Sequence, residues 1–323
     1  MKQFFNVLFG GLGAVACGII IASASVYSWS YVKPYLVKDG HFSLANVTSA
    51  VIPQPKDGTT ISGFRRTVRY SASEEEDLIN AAVDALPQSP DGKITAGAYI
   101  LKNLTRGDSP IEYNADKLLP IASVTKLVTA VVVRKYMDPN EKVSITRDIM
   151  ATYGNTALFK VGETFQVEDL LHPLLMVSSN DAAEAFAQDF GREAFIEKMN
   201  DFVQSIGAYR TYFDDPSGLS EKNISTANDL ALILDWIYKN DQNILDITAQ
   251  KTKTIRSHTW INPTHFLSWS YYKGGKNGYT PEANRTSASL FTAGPNQNLY
   301  AVILLDSDSR DSDTVKLLAK AKK

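Results

Sequence analysis

A serine and a lysine three positions apart, in Ser123-Val124-Thr125-Lys126, carry the first chemistry visible in this sequence. On a helix such residues share a face, so the lysine amine reaches the serine hydroxyl. A serine hydroxyl is a weak nucleophile and needs an adjacent base. Lysine can be that base when burial or a nearby cation lowers its pKa. Ser123 also starts an apolar run, SVTKLVTAVVVRKY, whose first helical turn would offer free backbone N–H groups to a developing oxyanion. The spacing alone is weak, because Ser30 and Ser270 also precede lysines (Lys33 and Lys273) by three. Context separates Ser123, which opens a core-type helix just after a strand and Pro120.

Two further groupings follow in order. Ser178-Ser179-Asn180 sets a hydroxyl and an amide two apart between helical runs, a pattern that also suits a helix N-cap. Lys276-Asn277-Gly278 begins a strand pattern, although Lys-x-Gly also occurs at Lys38, Lys56, Lys160 and Lys273. The elements that must position these groups are legible at coarse grain. Ala96 to Lys102 and Ile111 to Tyr113 read as strands, and Ser123 to Tyr136 as a buried helix. From Val167 to Tyr238 the pattern is mostly helical, including one long run from Asn180 to Gly207. Strands return at Lys276–Thr280, Ser287–Thr292 and Leu299–Leu305, and a polar helix from Asp311 to Lys322 closes the chain. Strands, then helices, then a meander, without β-α-β alternation, predict an α+β fold with an antiparallel sheet built from both ends of the domain.

Taken in order, the three groupings resemble the S-x-x-K, S-x-N and K-T-G elements of the penicillin-binding protein and serine β-lactamase superfamily. The flanking stretches NADKLLPIASVTKLVTA, LLHPLLMVSSNDAAEAFA, FDDPSGLSEKNISTANDLALI and GGKNGYTPEANRTSASLF are similar to the D-alanyl-D-alanine carboxypeptidases of the S11 peptidase family. The resemblance runs from about Ala96 to Leu305. It implies a β-lactamase/transpeptidase-like fold and an acyl-enzyme on Ser123, with Lys126 as proton acceptor and Ser178 as proton relay. It further implies that Asn180 and Lys276 hold substrate, that Gly278 keeps the strand edge open, and that the Ser123 and Tyr279 N–H groups form the oxyanion hole. Substrate would be the D-Ala-D-Ala end of a peptidoglycan stem peptide, β-lactams would be covalent inhibitors, and no cofactor is needed. The family threonine of K-T-G is Asn277 here, which bears on specificity; Thr280, two residues past Gly278 and on the same strand face, is a substitute hydroxyl. Two alternatives carry less support. A β-lactamase of this motif order needs an E-x-x-L-N loop, and Glu221-Lys222-Asn223-Ile224 does not match it. A catalytically impaired peptidoglycan-binding homologue has only Asn277 in its favour.

Composition sets the remaining bounds. The 33 basic and 35 acidic residues nearly cancel, and no basic stripe points to nucleic acid. The single cysteine, Cys17, forms no internal disulfide, and the four histidines (His41, His172, His258, His265) show no metal-ligand spacing, so no metal site is expected. Phe4 to Val26 carries no charge and follows Lys2, as a membrane anchor or signal peptide would, with Ala22-Ser23-Ala24 as a cleavage site in the second case. The expected organisation is an anchor or signal over 1–27, a Pro- and Gly-containing stalk over 28–72, and an extracytoplasmic peptidase domain over 73–323 that opens on a capped helix, Ser73 to Leu86. Asp214-Asp215, before Pro216-Ser217-Gly218, read as turn residues. Trp260, Phe266, Trp269, Tyr271 and Tyr272 read as core or groove wall, and Arg285 either flanks the groove or pairs structurally.

Overall fold

A computed structural model of the chain describes residues 93–294 and 296–321, together with Val37–Lys38 and His41–Phe42. The anchor over 4–26, most of the stalk over 28–72 and the helix over 73–86 lie outside the described residues. The chain divides into two units, Met1–Arg69 and Tyr70–Lys323. In the first, Val37–Lys38 pairs antiparallel with His41–Phe42.

The second unit is built on a five-stranded antiparallel sheet. Its strands are β1 (Ala98–Asn103), β2 (Ile111–Tyr113), β3 (Tyr272–Thr280), β4 (Asn284–Ala293) and β5 (Asn298–Ser307), in the order β3-β4-β5-β1-β2. The α+β expectation therefore holds, and strands from both ends of the domain share one sheet. Between β2 and β3 lie six helices: α1 (Lys126–Tyr136), α2 (Val167–Met176), α3 (Asn180–Phe190), α4 (Arg192–Ser205), α5 (Ala227–Asn240) and α6 (Gln242–Thr248). After β5 comes α7 (Arg310–Ala321).

The sheet is covered on both faces, which explains why β5 reads LYAVILL without polar alternation. Ala301, Ile303 and Leu305 join the core formed with the helical block. Tyr300, Val302 and Leu304 face the other way, into a second core with Val315 and Leu317 of α7. Phe266, Tyr272 and Phe291 belong to that second core, and Trp269 packs against it. Trp260 instead joins the main core. The aromatics thus serve mainly as core.

Helix α1 runs through the centre of the block, with every residue from Lys126 to Val133 buried. Three consecutive valines are weak helix formers, so burial rather than propensity holds this segment helical. The long helical run breaks at Gly191, where φ is +100°, and this turn divides α3 from α4. Between β4 and β5 the register slips, so that Arg285 lies opposite Ser307 but Ser287 opposite Leu304. Such a slip re-aims a side chain. Here the residue between them, Thr286, is fully buried and donates its hydroxyl to the Ile121 carbonyl at 2.9 Å, tying the sheet to the segment before Ser123.

Asp181, in the first turn of α3, is fully buried, and neither carboxylate oxygen has a hydrogen-bond partner among the described residues. Burial pushes its pKa up to about 6. The folded protein then holds this proton more tightly than the unfolded chain, so the charged form costs stability above pH about 6 and the cost vanishes below the ordinary carboxylate value. Asp181→Asn is expected to raise unfolding stability at pH 7.5 by about 1–3 kcal/mol, with the gain fading toward pH 4. Denaturant titrations at both pH values check this; a gain independent of pH would contradict it.

Candidate active site

The strand over Ile111–Tyr113, the short Leu119–Pro120 pairing with Ile224–Ser225, and then a 3-10 turn over Ala122–Thr125 lead into α1. Ser123 therefore lies in the turn, and the α-helix itself starts at Lys126, one turn later than the apolar pattern indicates. Ala122 adopts φ +48° and Ser178 adopts φ +60°, conformations that non-glycine residues seldom take. Backbone strain of this kind persists only where surrounding structure holds it, as in active sites.

Lys126 Nζ lies 2.9 Å from Ser123 Oγ and donates to Asn180 Oδ1 at 2.7 Å and to the Ser217 carbonyl at 2.5 Å. The side chain has no exposed surface. Burial first, and then the charge of Lys276, hold its pKa well below the ordinary lysine value, while Asp215 pulls in the opposite direction. A neutral amine keeps two N–H groups and one lone pair. Its acceptors at Asn180 Oδ1 and the Ser217 carbonyl can take only the N–H groups, so the lone pair is left facing the Ser123 hydroxyl. That arrangement suits a general base.

The Ser-x-Asn grouping satisfies both of its sequence readings at once. The cap is the middle residue: Ser179 Oγ accepts the Ala182 N–H at 3.0 Å and starts α3. Ser178 and Asn180 on either side remain for the cleft. Asn180 Nδ2 donates to the Tyr153 carbonyl at 2.7 Å, which fixes its amide so that Oδ1 faces Lys126. Lys276 Nζ donates to Ser178 Oγ and to the Asn277 carbonyl, each at 2.9 Å. Burial, helped by the charge of Arg310, lowers Lys276 to about 7.

β3 is an edge strand of the sheet. A Cβ at Gly278 would lie 2.8 Å from the Ser123 nitrogen and 3.0 Å from Ala122 Cβ, so only glycine lets the strand come this close to the serine turn. Ser123, Ser178, Asn180, Lys276, Gly278 and Tyr279 line one cleft of about 550 Å³, and Asn277 and Thr280 line it too. The Thr280 hydroxyl accepts the Ala283 N–H at 3.1 Å and so is partly engaged in the β3–β4 turn. Arg285 lies 5.7 Å from the Tyr279 ring centroid and donates to the Asp308 carbonyl, which is structural pairing.

Two residues that the sequence did not single out as functional belong to the site, one lining the cleft and one behind it. Arg310, at the start of α7, lines it beside Lys276. Its Nε donates to Asp311 Oδ1 at 3.0 Å, and Asp311 Oδ2 pairs with His265 Nδ1 at 2.6 Å. Burial works against the Asp311 charge, but His265 and Arg310 hold its pKa down to about 2. Asp215 lies in the turn beneath Lys126. Its position before Pro-Ser-Gly does mark a turn, yet the side chain is buried rather than solvated. Among the described residues no cluster of three or more His, Cys, Asp and Glu side chains could hold a metal ion.

Residues 84–308 match the family model described as D-alanyl-D-alanine carboxypeptidase, peptidase S11. A D-alanyl-D-alanine endopeptidase of Pseudomonas aeruginosa is 28% identical over 251 residues, covering 71% of this chain and 78% of the relative. The D-alanyl-D-alanine carboxypeptidase DacA of Escherichia coli K12 is 30% identical over 256 residues, covering 73% of this chain and 62% of the relative. Among solved structures, a mutant of the Streptomyces K15 DD-transpeptidase is 28% identical with a TM-score of 0.65, covering 70% of this chain and 97% of that one. A D-alanyl-D-alanine carboxypeptidase from Mycobacterium tuberculosis H37Rv shares the fold with a TM-score of 0.65 at 24% identity, covering 73% of this chain and 92% of that one. With its three motifs gathered in one cleft and two-thirds of its length matched, the chain belongs to the S11 family of D-alanyl-D-alanine carboxypeptidases.

Proposed function

We propose that this protein is a serine D,D-peptidase that cleaves the D-alanyl end of peptidoglycan stem peptides through an acyl-enzyme on Ser123. The observation that carries the reading is the buried Lys126 amine, closed on two sides by acceptors and open toward Ser123 Oγ. Neutral Lys126 takes the Ser123 proton as Oγ attacks the penultimate D-alanine carbonyl. The oxyanion is received by the backbone N–H groups of Ser123 and Tyr279. Ser178, held by Lys276, returns a proton to the leaving amine, and water then releases the acyl group. Lys276 and Arg310 place two cations where a terminal carboxylate would lie. Asn180 and the open edge of β3 align the peptide by strand addition.

The leaving group is either a free D-alanine or the amine of a cross-link. Relatives of both kinds, carboxypeptidases and endopeptidases, support this pair of outcomes. Asn277 in place of threonine removes a hydroxyl from the carboxylate end of the cleft, which favours substrates without a free terminal carboxylate. We further propose that residues 73–323 form the catalytic domain on the outer face of the cytoplasmic membrane, tethered by residues 4–26. Among the described residues no helix is long and apolar enough to cross a membrane, and the proposed tether rests on the uncharged sequence alone.

Fluorescent penicillin is expected to label the protein covalently, and Ser123→Ala to abolish the label. Lys126→Ala is expected to slow acylation by about 10²–10⁴-fold, the usual worth of a positioned base. An unlabelled parent protein would overturn the reading. Mass spectrometry of muropeptides incubated with the protein separates the two leaving groups: loss of one alanine marks a carboxypeptidase, and conversion of dimers to monomers an endopeptidase.

Lys276 must be protonated to attract a carboxylate, so kcat/KM on a substrate ending in a free carboxylate is expected to fall as pH rises through about 7. In Lys276→Arg the guanidinium stays charged, and this alkaline limb is expected to move up by about 2 pH units or more. An alkaline limb that stays in place would show that Lys276 does not set it.

A further inference from the structure

The turn beneath Lys126 is held by a carboxylate that the mechanism above does not use. Asp215 Oδ1 accepts the Ser217 N–H at 2.6 Å, the Ser217 hydroxyl at 2.7 Å and the Gly218 N–H at 2.7 Å. Its Oδ2 accepts the Ser220 N–H at 2.6 Å. These four bonds fold the chain tightly enough for Gly218 to adopt φ +85°, where an added Cβ would collide with the Ala122 carbonyl, immediately before Ser123. The rest of the turn is fastened to α1. Asn223, fully buried, donates to the Asp215 carbonyl at 2.8 Å and to Thr125 Oγ1 at 3.0 Å, and accepts the N–H groups of Asp214 and Asp215. Thr129 Oγ1 donates to the Pro216 carbonyl at 2.5 Å. The product of this network is one carbonyl, that of Ser217, placed on Lys126 Nζ.

We propose that Asp215 is a positioning residue for Lys126: by clamping the Pro216–Gly218 turn it aims the Ser217 carbonyl at the amine, and its charge offsets the cation of Lys276 across the site. The inference rests on Lys126 acting as the base. Without the Ser217 carbonyl one of the two N–H groups loses its acceptor, and the lone pair is free to rotate away from Ser123. The charged and polar groups facing Lys126 are Lys276 from β3, Asn180 from α3, Ser123 from the 3-10 turn, and the Ser217 carbonyl and Asp215 from this turn. Asp215 is the member of that set that favours the ammonium, and the lowering caused by burial and Lys276 is correspondingly smaller than it would be without it.

The charge and the clamp separate in two variants of the full chain, read by the rate of acylation with fluorescent penicillin from pH 5 to 10 and checked for folding by circular dichroism. Asp215→Asn keeps the shape but removes the anion and turns a donor toward the Ser220 N–H. Acylation is expected to slow by about 10-fold or more, and its acid limb to move to lower pH by about one unit, because the ammonium of Lys126 has lost its counter-charge. A slower rate with the acid limb unmoved would reduce Asp215 to a structural residue and overturn the proposal. Asp215→Glu keeps the charge and displaces the clamp; its acid limb is expected to match the parent while its rate falls several-fold, and a parental rate would overturn the positioning role even if the Asn variant does not fold. No acylation of the parent protein at any pH would overturn the serine-peptidase reading itself, and this inference with it.

Discussion

The site depends on one amine kept out of water. Lys126 occupies the first turn of a helix whose next seven residues are also buried, so its head group has only the acceptors the protein supplies. Burying an ammonium is costly unless it is paired, and the neutral form is the cheaper one here. Each surrounding element therefore has a positional duty. The cap at Ser179 starts α3 so that Asn180 points inward, the 214–218 turn presents the Ser217 carbonyl, and the Thr286–Ile121 bond holds the sheet against the turn that carries Ser123.

The cleft beside Lys126 is lined by a second buried lysine. Lys276 has Ser178 and the Asn277 carbonyl as partners and Arg310 as a neighbouring charge, and burial lowers its pKa to about 7. In the proposed mechanism, environment alone divides two identical side chains into a base and a carboxylate-attracting cation. The strand that brings Lys276 is also the open edge of the sheet, and Gly278 is what lets that edge touch the turn that carries Ser123. Asn277 leaves this framework unchanged, and its proposed effect is on what the cleft prefers to hold.

Much of this was legible in the sequence because it is local or periodic. The Ser123–Lys126 contact follows from i, i+3 geometry, the burial of α1 from a surface that is mostly apolar, and the meander from strand patterns separated by turn residues. What escaped was non-local or ambiguous in type. Asp-Asp-Pro-Ser-Gly spells a turn whether its carboxylates face water or fold back onto buried N–H groups, so the burial of Asp215 had no signal of its own. Arg310 reaches the cleft only because the sheet order sets the end of β5 near β3, which no spacing reveals. The hairpin of Thr252–Ile255 and His258–Ile261 hides in a polar, cation-rich stretch, and α6 follows α5 after a single residue. β3 begins four residues before Lys276 because Gly274 and Gly275, at φ +109° and +153°, continue the strand through an irregularity instead of ending it.

The central claim is that Lys126 is an uncharged base at working pH, and its protonation is directly measurable. In protein labelled with 13C at the lysine ε-carbons, the Lys126 resonance, assigned by its loss in Lys126→Arg, can be followed through a pH titration. A resonance already in the amine position at pH 7.5, well below the ordinary lysine value near 10.4, is the expected result. An ammonium that persists to pH 10 would contradict the account.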